Sequence, residues 1–129
     1  MNKQLKKEIG FLEKKMKKDA DSPLFARLAD RYLEVGDVDR AIDVCETGLR
    51  KHPYYLTAHL VMSKCYLALG MGEEANEELK RTLVFDPECV TAHKMLGDLL
   101  NDEGETEDYQ ECYEEIQRLD PLDEEIADI

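Results

Sequence analysis

The stretch LALGMGEEANEELKRTLVFDP, residues 67–87, sets a glycine, an alanine and a proline at Gly70, Ala75 and Pro87. The same residue types stand 34 positions earlier, at Gly36, Ala41 and Pro53. Gly104 and Pro121 stand 34 positions later. A fixed interval of this size marks a repeated supersecondary unit, one that buries its apolar side only by stacking on its neighbours. Stacked at that interval, the chain divides into 22–55, 56–89 and 90–123.

Each unit reads helix, turn, helix, turn. In the first, Phe25, Leu28, Ala29 and Tyr32 recur at i, i+3, i+4 and i+7, one face of an α-helix. Gly36 interrupts that face in LEVGDVD, where the chain needs a residue free to take positive φ. Val38, Ala41, Ile42, Cys45 and Leu49 form the face of a second helix, which Pro53 ends by pushing its predecessor out of helical geometry. Arg50 and Lys51 complement the dipole in its last turn. The second unit repeats the scheme with Met62, Ser63 and Tyr66, then Ala75, Leu79 and Leu83. The third is looser, with Leu96, Gly97 and Leu100, then Tyr109, Tyr113 and Ile116. Ala29, Ser63 and Gly97 share one phase, as do Ala41 and Ala75, and a small residue at a fixed place lets two helices approach closely. Tyr109 replaces that alanine in the third unit, whose helices must pack differently.

These residues resemble the tetratricopeptide repeat (TPR) pattern. That family expects a large apolar residue, leucine with a small residue, an aromatic, a glycine, an alanine and a closing proline. Phe25, Leu28-Ala29, Tyr32, Gly36, Ala41 and Pro53 supply them in the first unit. Met62-Ser63, Tyr66, Gly70, Ala75 and Pro87 follow in the second, and Leu96-Gly97, Leu100, Gly104 and Pro121 in the third. The match covers about 100 of the 129 residues. It departs at the large apolar slot, which His59 and His93 fill in LTAH and VTAH. Equivalent places in successive units make the two histidines rungs of a ladder rather than a converging ligand pair, so packing histidines are expected. The resemblance implies an all-α fold, a right-handed α-solenoid of three helix-turn-helix units, in a single domain over 1–129.

The N-terminal segment 1–19 reads as a capping helix. Leu5, Ile9, Leu12 and Met16 are amphipathic, and a shift of 33 lays them on Val38, Ile42, Cys45 and Leu49. Such a helix covers the open flank of the first unit and leaves lysines outside. Docking of this basic helix on an anionic membrane is the alternative. At the other end, Leu122, Ile126 and Ile129 in DPLDEEIADI open a further repeat that stops short, over 124–129. Either the chain is a fragment of a longer protein or a second copy covers that end.

Net charge is −13 and uneven. Residues 1–18 carry seven lysines against Glu8 and Glu13, whereas residues 102–129 hold 13 acids and only Arg118. An acidic body repels phosphates, which argues against nucleic acid, including the single-stranded RNA read by a related helical repeat. No apolar run is long enough to span a membrane, and MNKQLKKEIGFLEKK has no signal-peptide core, so a cytoplasmic location is expected. Cys45, Cys65, Cys89 and Cys112 lack paired metal-ligand spacing and read as reduced, packed thiols. No metal or cofactor is expected. Neither a phosphate-cradling loop nor HExxH nor a nucleophile with a base is present, so the chain reads as a non-enzyme.

The resemblance further implies that the first helix of each unit lines a concave groove. By phase the groove residues are Arg27, Asp30 and Leu33, then Leu60, Val61, Lys64 and Leu67, then Lys94, Met95 and Asp98. Apolar anchors among placed charges suit a peptide or helix of a partner protein, the function expected of an adaptor or scaffold. Alternatively Leu60 and Leu67 only complete the core. Family members that grip the carboxylate end of heat-shock chaperones use lysine, asparagine and arginine at positions that are Ala26, Asp30, Val61, Thr91 and Met95 here, and none matches. The competing functional reading is a structural module that forms homo-oligomers through the solenoid ends and the basic first helix.

Overall fold

Six α-helices follow one another among the described residues of the computed structural model: α1 (Lys3–Lys18), α2 (Phe25–Glu34), α3 (Val38–Lys51), α4 (Leu56–Ala68), α5 (Gly72–Phe85) and α6 (Val90–Asp102). The structure describes residues 2–102, 114–115 and 117–119, among which there is no strand. Residues 114–115 and 117–119 are helical. Gly104, Tyr109, Cys112, Tyr113, Ile116 and Pro121, together with the expected opening of a further repeat at 124–129, lie outside the described residues. The helices fall into two units, Met1–Met71 and Gly72–Ile129.

Local chemistry sets the helix ends in the first unit. The Asn2 side chain accepts from the Gln4 N–H at 2.8 Å, while Lys15, Lys17 and Lys18 face the negative end of the α1 dipole. The α2 helix closes on Gly36 at φ 84°: the Gly36 N–H donates to the Leu33 carbonyl at 3.0 Å and the Asp37 N–H to the Tyr32 carbonyl at 2.9 Å. The α4 helix closes in the same way 34 residues later, with Gly70 at φ 73°, Gly70 N–H to Leu67 and Met71 N–H to Tyr66. This double hydrogen bond satisfies carbonyls that the last turn leaves open, and only glycine takes that backbone region without strain.

In the first unit α2 packs on α3, α1 packs on α2, and α4 packs on both α2 and α3. Ala29, Ala41 and Ala58 are wholly buried, which permits these close approaches. Around them Ile9, Leu12, Leu28, Tyr32, Cys45, Val61, Met62 and Cys65 make a continuous core. The capping helix α1 contributes Ile9 and Leu12 to it, with Leu5 and Met16 partly buried against its edge. A second cluster centres on Phe25, whose ring stacks on His52 at 5.8 Å and meets Tyr55 edge-on at 5.6 Å. Gly48 on α3 lies directly under that ring, where an added Cβ would occupy the same space as the Phe25 carbons.

The two histidines hold the turns. His59 Nε2 lies 2.8 Å from the Pro53 carbonyl oxygen, and in the second unit His93 Nε2 lies 2.8 Å from the Pro87 carbonyl oxygen. A carbonyl oxygen only accepts, so each ring carries its proton on Nε2 and donates. The repeated proline thus ends one helix, and its carbonyl anchors the side chain of the next. Buried hydroxyls are satisfied within their own helices: Ser63 donates to the His59 carbonyl at 2.9 Å and Thr82 to the Glu78 carbonyl at 3.0 Å. In the second unit α5 packs on α6; Ala75, Leu79 and Thr82 are buried on the first, and Ala92, Leu96, Leu99 and Leu100 on the second.

Gly48→Ala should destabilise the protein by about 2 kcal/mol, because an added Cβ would lie 2.1 Å from Phe25 Cδ2 and the ring must leave its packed position to admit it. Gly10, inside α1 with nothing within 4 Å of an added Cβ, should give the opposite result. Gly10→Ala gains about 0.5–1 kcal/mol from restricted backbone freedom. Thermal melts of the two variants beside the wild type check both signs.

Candidate functional site

The expected groove residues within Met1–Met71 fall on the adjoining helices α2 and α4. Arg27 and Lys64 are exposed, Leu67 is 37% exposed, and Asp30, Leu33 and Leu60 are half-buried. Val61 is 3% exposed and belongs to the core, so it offers no surface. The reason lies in α4 itself. Ala58, His59, Val61, Met62, Ser63 and Cys65 are all buried, so the helix is covered over most of its circumference. A helix apolar on nearly every side gives no phase from which to assign an open face.

Charges on this face are organised across helices. Lys64 Nζ lies 3.7 Å from Asp30 Oδ1, joining α4 to α2. The other oxygen of Asp30 lies 3.3 Å from Arg31 Nη1. Arg31 Nε in turn lies 3.0 Å from Glu8 Oε1 on α1, and Nη1 also pairs with Glu34. The Glu8 carboxylate, above all, raises the Arg31 pKa beyond its ordinary value against the opposing effect of burial. Exposed pairs of this kind contribute about 0.2–1 kcal/mol each, so their main effect is to fix where the charges stand. Asp30 and Lys64 are separated by 34 residues, and Asp98 follows at the same interval. Equivalent positions of alternating sign were the sequence signal for this pairing, and reading each helix by itself missed it.

Within Gly72–Ile129 the expected residues lie on α6. Lys94 and Met95 are half-buried and Asp98 is exposed. Thr91 is exposed on the first turn of that helix.

Two cavities in the first unit lie away from these residues. One, of about 330 Å³, is lined by Met16, Phe25, Leu28, Val44, Thr47 and Gly48 among others. The other, of about 320 Å³, is lined by Lys6, Ile9, Glu13, Tyr32 and Arg40 among others. Both open between α1 and α3. Neither gathers a nucleophile with a base, and among the described residues no three His, Cys, Asp or Glu side chains converge. No helix among the described residues is long and apolar enough to cross a membrane. Cys65, beneath the α2–α4 face, is wholly buried; burial first, then the negative charge of Asp30, push its thiol up to about 11, with Lys64 opposing.

The family model described as tetratricopeptide repeat matches residues 32–99, more than half of the chain. The chain belongs to the tetratricopeptide repeat family. Its all-α architecture is the helical-repeat fold of that family. MamA 41-end from Desulfovibrio magneticus RS-1 is similar at a TM-score of 0.81 and 16% identity, over 94% of this chain and 69% of that one. TTC0263, a thermophilic TPR protein of Thermus thermophilus, is similar at 0.81 and 22%, over 91% and 66%. The first TPR of Spaghetti (RPAP3), bound to the HSP90 peptide SRMEEVD, is similar at 0.77 and 18%, over 84% and 89%. At these identities the likeness is one of fold. No curated protein matches the sequence.

A thiol whose pKa is raised by folding holds its proton more tightly in the native state. The Cys65 contribution to stability is therefore complete below about pH 9 and lost as pH rises through about 11. At pH 8, alkylation of Cys65 in the native protein should be at least ~100-fold slower than in denaturant, because thiolate is scarce and access is closed. Peptide mass mapping against time measures both rates, and half-buried Cys89 provides a faster internal comparison.

Proposed function

We propose that this TPR protein is an adaptor that binds a peptide or helical segment of a partner protein along the α2–α4 face. Lys94, Met95 and Asp98 are assigned the same role on α6, and the division into units 22–55, 56–89 and 90–123 is kept. The observation that carries this reading is the partial exposure of Leu33, Leu60 and Leu67 beside an ion pair, Asp30–Lys64, that is already formed without a ligand. Leucine side chains supply the anchoring area. The pre-formed pair supplies a polar margin that costs little to order on binding. Arg27, exposed at the edge, is the cation best placed to select an acidic residue in the ligand.

The peptide held by the Spaghetti domain does not transfer with the fold. Two of the positions that would grip a terminal carboxylate are Ala26 and Val61, 1% and 3% exposed and without a hydrogen-bond donor in the side chain. A third is Asp30, whose charge repels such a group. The acidic body also disfavours nucleic acid as the partner. Four cysteines without disulfide or metal spacing suit a reducing compartment, and we assign the protein to the cytoplasm on that ground. A non-catalytic role follows from the same reading of the face.

Peptides selected by display on the immobilised wild type test the proposal. Leu60→Ser with Leu67→Ser should weaken the selected peptides by at least ~10-fold, since each buried leucine contributes about 1.5–3 kcal/mol. Glu46→Ala, on the exposed side of α3, should leave them unchanged. The peptide SRMEEVD should bind no tighter than about 1 mM. Equal binding by wild type and the double serine variant contradicts the assignment of the face.

A further inference from the structure

The capping helix α1 carries a surface that neither core packing nor the proposed groove explains. Its buried residues, Ile9 and Leu12, point to one side. At about 100° per residue, Lys3, Lys7, Phe11, Lys14 and Lys18 form a stripe on the opposite side. All five are exposed, and Phe11 is 58% exposed with the Lys15 ammonium 5.4 Å from its ring centre. Of the two acids on the helix, Glu8 is committed to Arg31 on α2. Glu13 lines the cavity beside Tyr32 and Arg40 instead of the stripe. The outer face of α1 is therefore cationic along its full length, with an aromatic ring in the middle. A rigid, exposed, single-signed face on a chain of net charge −13 calls for an acidic partner.

The same sequence supplies one. Residues 102–129 hold 13 acids against one cation, Arg118, and Arg118 pairs with Glu115. Within this segment Glu107, Glu111 and Glu114 stand at i, i+4 and i+7. That is the spacing of Lys7, Phe11 and Lys14 on α1. We propose that the cationic stripe of α1 docks on the acidic segment 103–129 of a second copy of this chain. Electrostatic attraction brings the two together, and Phe11 is covered in the contact. Each copy offers one cationic and one acidic segment, so every copy can both give and receive the contact. It either closes reciprocally between two copies or propagates head to tail into rings or open chains. Its residues on α1 are distinct from those assigned to the α2–α4 face.

Sedimentation of the full 129-residue chain over a range of concentration tests the proposal directly. At about 20 mM salt, where screening reaches only beyond ~20 Å, average mass should rise with concentration to that of a dimer or larger. At about 500 mM salt it should fall to the monomer. Lys7→Glu with Lys14→Glu should be monomeric at low salt, and so should Glu107→Lys with Glu114→Lys. Circular dichroism establishes that both variants keep wild-type helicity. Mixed in equal amounts, the two variants should associate again, because each then meets the opposite charge. Three results overturn the proposal: a wild type that is monomeric throughout, association untouched by either charge reversal, or failure of the mixture to restore it. Binding to phosphatidylserine vesicles that is lost in Lys7→Glu with Lys14→Glu, by a chain that stays monomeric, assigns the stripe to a lipid surface and also overturns it.

Discussion

Everything in the first unit depends on how closely α2 can approach α3. Ala29 and Ala41 are wholly buried in that hairpin, and Gly48 leaves room for the Phe25 ring at its far end. Small residues remove the side chains that would hold the helices apart, and dense packing turns that proximity into dispersion contact and excluded water. With the hairpin closed, Leu28 and Tyr32 present a continuous apolar surface, on which α1 and α4 settle. The ion pairs from Glu8 through Arg31 and Asp30 to Lys64 then run over the outside of helices whose spacing is already set.

This order of causes explains why recognition is the natural output of the fold. Hairpins that cover one another's apolar sides leave each helix one face in solvent, and that face is rigid because its backbone is held from behind. Side chains there change without disturbing the core. Leu60 and Lys64 are neighbours of Val61 and Cys65, yet the first two reach the surface and the last two do not. Convergent chemistry is hard to build on such a surface, since successive rungs run side by side instead of facing inward. The likeness to a structure that holds an HSP90 peptide is one of fold.

Much of this was legible in the sequence, for a specific reason. The 34-residue interval places a helix even where local periodicity fails. The α4 helix, LTAHLVMSKCYLA, has no clear polar side, and only its register with α2 identifies it. Gly36 and Gly70 announced the turns because positive φ restricts residue choice so strongly. Two kinds of information were hidden. One was which side of α4 stays open, and Val61 was accordingly expected at the surface although it belongs to the core. The other was partnership between helices. Glu8 with Arg31, and Gly48 with Phe25, depend on the distance between elements that no local pattern encodes. The histidines were legible as packing residues, but their bond to the proline carbonyl 6 residues earlier came only from the fold.

Native-state hydrogen exchange, read residue by residue, tests the central place of the α2–α3 hairpin most directly. Amides opened only by global unfolding exchange slowest, and the hairpin should supply them. The account predicts the greatest protection at Ala29, Tyr32, Ala41 and Cys45, with α1 exchanging faster through separate opening of the cap. Protection in α1 equal to or greater than that in α2 and α3 would contradict it, because the hairpin would then not be the element on which the others are built.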